Sequence, residues 1–296
     1  MIDGRHSLKL TIAFVALWAA EEALTGMLLG HMGLGQIVWI RFLMHLAILW
    51  TVFGWNNAPS LWRTRRPWFQ LARASMMVGM PAFWVMGVQR GLSPSTMMSV
   101  FWLAPLFILG FARLFLKERT GGKVWLASLV ACAGVFALTG PHAMPRWILL
   151  VFPLGMAVCF SLYMVMTRAL RDEPTRTNLF YTGLGVCLLL APLMPYTWVA
   201  PTRSDLMILA GIALLGLGAL FALERVTARS PFSQSAPLVY LQIPFALGIA
   251  WSLEQYDPSL RTLIGLLITF GVVLYVWMRR PRAAAMLSPD TGFGGV

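Results

Sequence analysis

Charge is what this sequence has least of. Only 11% of its 296 residues are Asp, Glu, Lys or Arg, and just 11 are acidic. A soluble domain carries about 25% charged residues, so a surface of this composition cannot be wetted on all sides. Long polar joints are missing too: the stretches between apolar runs are mostly under ten residues, which leaves no room for an inserted soluble domain. Cysteine is scarce. Cys132, Cys159 and Cys187 stand apart inside apolar runs and match neither a disulfide framework nor metal-ligand spacing. The four histidines, His6, His31, His45 and His142, are scattered, with only His45 well inside an apolar run. There is no HExxH sequence and no phosphate-binding P-loop. These absences leave a membrane-embedded enzyme as a remote alternative, and neither metal nor cofactor is expected.

Apolar residues are what the chain has instead, at 58% with a mean hydropathy of +0.73. Crossing a bilayer takes about 20 of them in a run. Ten such runs are predicted, at Leu8–Leu29, Gly35–Trp55, Trp68–Gln89, Ser93–Phe115, Lys123–Thr139, Trp147–Arg168, Asn178–Val199, Asp205–Arg225, Phe232–Leu253 and Leu260–Met278. The expected fold is an all-α integral membrane protein of ten transmembrane helices. The first run is read as a retained helix rather than a cleaved leader, because it continues past Ala20 and its loss would leave nine spans.

A net charge of +12 invites a nucleic-acid reading, so the distribution has to decide. With a cytoplasmic N-terminus, eighteen of the 23 Lys and Arg residues, Arg73 among them, fall at cytoplasmic ends. Arg41, Arg90, Arg146, Arg203 and Arg261 fall on the other side. That asymmetry orients a helix bundle in a membrane. Both termini are therefore expected in the cytoplasm, and no nucleic-acid partner is expected. The tail, residues 283–296, is expected to be disordered.

An internal repeat is also present. The stretch LAPLFILGFARLF in the fourth run parallels YLQIPFALGIAWSL in the ninth, and a shift of 139 residues lays Pro105 on Pro244 and Glu118 on Asp257. Residues 1–140 and 141–282 then each hold five spans. Five is odd, so the halves must cross the membrane in opposite senses, an inverted repeat of the kind secondary transporters use. Prolines inside a span remove a backbone hydrogen bond and kink the helix. Pro105 and Pro244 are the hinge candidates because their positions match.

In order and spacing, GQIVWIRF, RRPWFQLARA, FWLAPLF with LFLKER, SAPLVYLQ and TLIGLLITFGVVLYV resemble the ten-helix drug/metabolite transporter superfamily, the type with two EamA domains. The resemblance spans essentially the whole chain. It implies a multi-pass protein of the inner (cytoplasmic) membrane, with lipid and a small-molecule substrate as partners. One departure stands out. Relatives close the ninth span with Gly-Glu before a proline, where this chain has Gln255 and Tyr256, leaving Glu254 or Asp257 to substitute; the first half keeps Glu118 within KER. That KER is read here as an anchor and helix-terminal charge.

The candidate site begins with AEEALTG, residues 19–25. On a helix, Ala16, Ala19, Ala20, Ala23 and Gly26 share a face suited to close packing. Trp18, Glu21 and Thr25 form the opposite stripe, and Glu22 lies between the two. An ionised acid facing lipid at depth costs at least about 2.5 kcal/mol, so the carboxylates are expected in a polar cavity. Glu21 sits roughly 12 Å from the outer end of its run at about 1.5 Å per residue, a depth similar to that of Arg41. Glu21 is the expected cavity residue, and Glu22 the expected structural partner, with Arg41 in reach of either. A purely structural ion pair stays as open as a binding or proton-coupling one. His45, Trp84, Trp102, Tyr163, Tyr240 and Gln242, with Ser161, are further candidates for the lining of a largely aromatic cavity.

The function expected from all this is secondary active transport of a small metabolite by alternating access. Export of an amino-acid-like, amino-acid-derived or metallophore-like compound is preferred, and a proton is the candidate coupling ion. Import of a metabolite such as S-adenosylmethionine or riboflavin is the alternative. Ten helices already supply two complete halves, so a monomer is expected to suffice.

Overall fold

The computed structural model describes residues 4–55, 58–139, 146–253 and 259–278. Among them the chain is helical throughout, without strands. The ten apolar runs become α1 (Gly4–Leu28), α2 (Leu34–Gly54), α3 (Pro67–Gln89), α4 (Pro94–Phe115), α5 (Gly122–Thr139), α6 (Trp147–Ala169), α7 (Thr175–Thr197), α8 (Arg203–Arg229), α9 (Phe232–Ser252) and α10 (Leu260–Met278). Eight are long and apolar enough to cross a membrane outright; the apolar stretches of α5 and α10 are shorter. Residues 254–258, which include Glu254, Gln255, Tyr256 and Asp257, and the tail from 279 lie outside the described residues.

Local chemistry sets the helix starts. Ser93 caps α4 by accepting from the Thr96 N–H, and Thr202 with Asp205 forms a capping box on α8, each satisfying N–H groups that a first turn leaves without partners. Pro67 opens α3, where its missing N–H costs nothing. Exposed aromatics mark both rims: Trp55, Trp62 and Trp68 where α2 passes to α3, and Trp147, Tyr196 and Trp198 at the opposite ends of α6 and α7. Such belts sit at the two membrane–water interfaces.

Between the first five helices and the last five, contacts come in matched pairs. The most extensive are α1 on α8 and α3 on α6; α1 on α9 accompanies α4 on α6, and α2 on α8 accompanies α3 on α7. The pairs α2–α7, α4–α9 and α5–α10 face each other directly. Counting five helices onward maps each contact onto its partner or onto itself.

Two spans are broken where proline strips them of a hydrogen bond. In α4 the helix stops at Phe101 and resumes at Ala104, just ahead of Pro105. In α9 residues Ala236–Leu241 are a tighter 3₁₀ turn before regular helix resumes at Gln242, two residues ahead of Pro244. Side chains gather at the break: the Tyr240 hydroxyl donates to the Trp102 carbonyl of α4 (3.1 Å) and to the Ser128 carbonyl of α5 (3.3 Å), and Ser161 donates to the Ala104 carbonyl at 2.9 Å.

Close packing of α1 differs from the expectation. A side chain on Gly26 would meet nothing, whereas Gly211 and Gly218 of α8 lie under Leu24 and Leu17 of α1. The small residues that admit α1 are therefore on its neighbour, and Gly26 faces open space. The KER segment is also more than an anchor. Glu118 pairs with Arg168 at the end of α6 and accepts the Phe232 backbone N–H at 2.9 Å, joining the ends of α4 and α6 to the start of α9.

Candidate functional site

A cavity of about 370 Å³ lies among α1, α2, α3, α4, α6 and α8, within the size range of small-molecule sites. Both halves of the chain build it. Its walls are mostly apolar, with Met77, Met80, Met98 and Met156 and the rings of Trp18, Trp84 and Phe160. Trp18 stacks on Phe160 with centroids 5.3 Å apart, holding α1 against α6. The lining reaches the surface at Leu29 and Leu34, on either side of the α1–α2 turn. That turn is tied to α8 by His31, whose Nε2 lies 3.1 Å from Asp205.

Polar groups gather on one wall. Glu21, Glu22, Thr25 and Arg41 all line the cavity, so AEEALTG does mark its polar part. Arg41, which the sequence left in reach of either carboxylate, pairs with Glu21. The Arg41 Nη1 donates to Glu21 at 2.5 Å, and Thr25 donates to the same carboxylate at 3.4 Å. Glu22 instead accepts from the Gln242 amide of α9 at 2.5 Å, because the α1 axis turns it toward α9 while Glu21 faces α2. Arg41 reaches this place because α8 has no side chain at Gly216, where a Cβ would lie 2.8 Å from the guanidinium Nε. That Nε is buried without a hydrogen-bond partner.

Trp84 and Tyr163 also line the cavity, while His45, Trp102, Tyr240 and Gln242 do not. The reasons are specific. His45 Nε2 is bonded to the Ala213 carbonyl at 2.8 Å. Trp102 is packed against Trp18 and Tyr240. Tyr240 is spent on the Trp102 carbonyl of the broken fourth span and the Ser128 carbonyl of α5, and Ser161, which the sequence also put forward, on the Ala104 carbonyl. Gln242 stands behind Glu22 and acts through it.

Sequence reasoning missed what closes the cavity's inner end. The Tyr163 ring covers the Arg73 guanidinium at 5.3 Å. Arg73, placed by charge counting at a membrane surface, is fully buried and makes five hydrogen bonds. It donates to Glu224 at 2.5 Å, to Thr167, Thr182 and Gln70, and to the Asn178 carbonyl. Asn178 donates to the other Glu224 oxygen at 2.9 Å and accepts from Gln70 at 2.6 Å. Four helices from both halves are thus joined. The signal was legible: Arg73 and Glu224 both fell inside predicted spans, where a charge needs a partner.

Residues 7–140 match the model of the EamA-like transporter family. The match covers the first five helices. Among curated proteins it is similar to an S-adenosylmethionine uptake transporter of Rickettsia bellii, at 22% identity over 84% of this chain and 85% of the relative. It is similar as well to a riboflavin transporter of Rhizobium johnstonii, at 23% over 75% of each. An uncharacterised transporter, YdfC of Bacillus subtilis, matches at 26% over 60% of each. A solved crystal structure superposes with a TM-score of 0.79 at 18% identity, covering 91% of this chain and 95% of that one; this likeness shows a shared fold. The chain is a multi-pass membrane protein, and the family model and the curated relatives it matches are those of transporters.

Proposed function

We propose that this protein is a secondary active transporter that moves a small metabolite across the cytoplasmic membrane by alternating access. The observation that carries the reading is the cavity itself, shared by both halves, reaching the surface at the α1–α2 turn and closed at the other end by Arg73 and Glu224. With both termini cytoplasmic, as the basic residues favour, this conformation faces outward. The matched helix contacts and the breaks beside Pro105 and Pro244 support two inverted repeats, residues 1–140 and 141–282, able to exchange roles at the two faces. The broken spans supply the hinges, since backbone already released from regular hydrogen bonding bends at low cost.

Glu21, Glu22 and Arg41 form the substrate-contacting wall, with a proton as the coupling ion. Export of an amino-acid-derived compound is one direction. Uptake is the second reading, supported by the relatives that are named for S-adenosylmethionine uptake. The test is flux in proteoliposomes under imposed pH gradients, using amino acids, S-adenosylmethionine and riboflavin. Saturable flux of one solute that responds to the gradient is expected. Absence of flux for every solute, with chemical turnover of any of them, overturns the transporter reading.

A further inference from the structure

Away from the cavity, a groove of about 580 Å³ runs between α5 and α10 on the perimeter of the bundle. The two helices touch at Gly134, where a Cβ would lie 2.9 Å from Ile268. From there the groove follows both helices to the start of α5 and the end of α10. Leu126, Val130 and Leu267 are exposed along it, and a side chain on Gly271 would meet nothing within 4 Å. Lys123 to Val130 covers about 10 Å of helix at about 1.5 Å per residue. Because it follows spanning helices, the groove points along the bilayer normal, as an acyl chain does.

Its two ends differ in polarity. Lys123 and Tyr275 line one end, and no Asp or Glu lines any of it. Both are residue types that anchor at headgroup level. Lys123 is exposed and forms no ion pair among the described residues. The joint before it adds Lys117 and Arg119, also exposed, while its one acid, Glu118, is spent on Arg168 and the Phe232 N–H. Positive charge at one end of the groove therefore lacks a counter-ion, and the rest is apolar.

Two occupants from the chain itself do not suit that pattern. A second copy, related by a two-fold axis along the bilayer normal, would set its own Lys123 at the same depth and facing the first; like charges there repel. The tail beyond Met278 opens with Arg279, Arg280 and Arg282, of the same sign again. An anionic amphiphile matches both ends.

We propose that this groove binds one anionic glycerophospholipid, with its phosphate at Lys123 and an acyl chain along Leu126, Val130, Leu267 and Gly271. In the orientation given above, the lipid comes from the cytoplasmic leaflet. The groove is separate from the cavity, so failure of this assignment leaves the transporter reading standing, and the reverse holds too.

Native mass spectrometry of the purified full-length chain tests it, with phosphatidylglycerol and phosphatidylcholine of one acyl length as probes. Phosphatidylglycerol is expected to be held about fivefold more tightly, the contribution of one basic residue beside anionic lipid. Lys123→Gln removes that preference, whereas Arg113→Gln, at the same end of the bundle but outside the groove, keeps it. Gly271→Leu fills the groove and lowers retention of both lipids, because the chain they share loses its place. Equal retention of the two lipids, an equal loss in Lys123→Gln and Arg113→Gln, or full retention in Gly271→Leu overturns the assignment. So does a dimer cross-linked through Leu126→Cys, which would put a second copy in the groove.

Discussion

Two of the arginine–glutamate pairs among the described residues lie within the bundle beside the cavity, and they differ in almost everything except chemistry. Arg73 with Glu224 is sealed from solvent, and seven polar groups on four helices share its hydrogen bonds. Arg41 with Glu21 faces a cavity, with one direct bond between them, and the Nε of each arginine is buried without a partner. A buried ion pair offsets its own desolvation only when the remaining donors and acceptors are satisfied. The Arg73 pair comes nearer to that condition, with every Nη group and both Glu224 oxygens bonded, and reads as a closure between the halves. The Arg41 pair, with a single bond from its guanidinium, falls further short and leaves room for a ligand or water to complete it.

Breaking the more extensively bonded pair is expected to have the largest effect. Glu224→Gln strands a buried guanidinium and should cost about 3–5 kcal/mol, read as a lowered Tm and a reduced folded yield in detergent. Glu21→Gln removes the direct partner of a guanidinium that borders the cavity, and a smaller loss of about 1.5–3 kcal/mol is expected. Were the two variants equally destabilised, the distinction between closure and binding wall would fail. Gly216→Ala sharpens the comparison from another side. Its Cβ would meet the far end of a flexible side chain, so Tm should hold within a few degrees while solute flux falls by about tenfold, on the order of 1.4 kcal/mol. A flux equal to wild type would show that the position of Arg41 is immaterial. The smallest effect belongs to Thr182→Val, which deletes one of the five bonds of Arg73. Hydrogen bonds between membrane helices average about 0.6 kcal/mol, so a slight fall in Tm is expected.

Much of the bundle was legible in order along the chain. A run of apolar residues long enough to cross a membrane has no other stable form there, since every backbone group must be satisfied within the segment. Hence the spans beginning at Leu8 or Lys123 differ from their helices by only a few residues. The polar wall was legible for a related reason: Glu21, Glu22 and Arg41 are costly in lipid and therefore had to face one another or a cavity. Their pairing was not, because it depends on which neighbour each face of α1 meets. The small-residue face of α1 suggested close packing, but the glycines that allow it are on α8. Tyr240 and Ser161 looked like cavity residues because a sequence does not disclose that broken helices nearby have carbonyls to satisfy.

By itself the sequence determined that this is a helical membrane protein with a handful of charges inside its spans, because hydrocarbon imposes segment length and penalises each charge one residue at a time. Only the tertiary structure decided which charges meet. The fourth and ninth spans come together through Tyr240 and Trp102, residues that lie far apart in the chain. Glu224 reaches Arg73 across the two halves, and the glycine at 216 on α8 determines whether Arg41 can lie beside Glu21. Those are properties of packing between distant segments, on which no local pattern of residues depends.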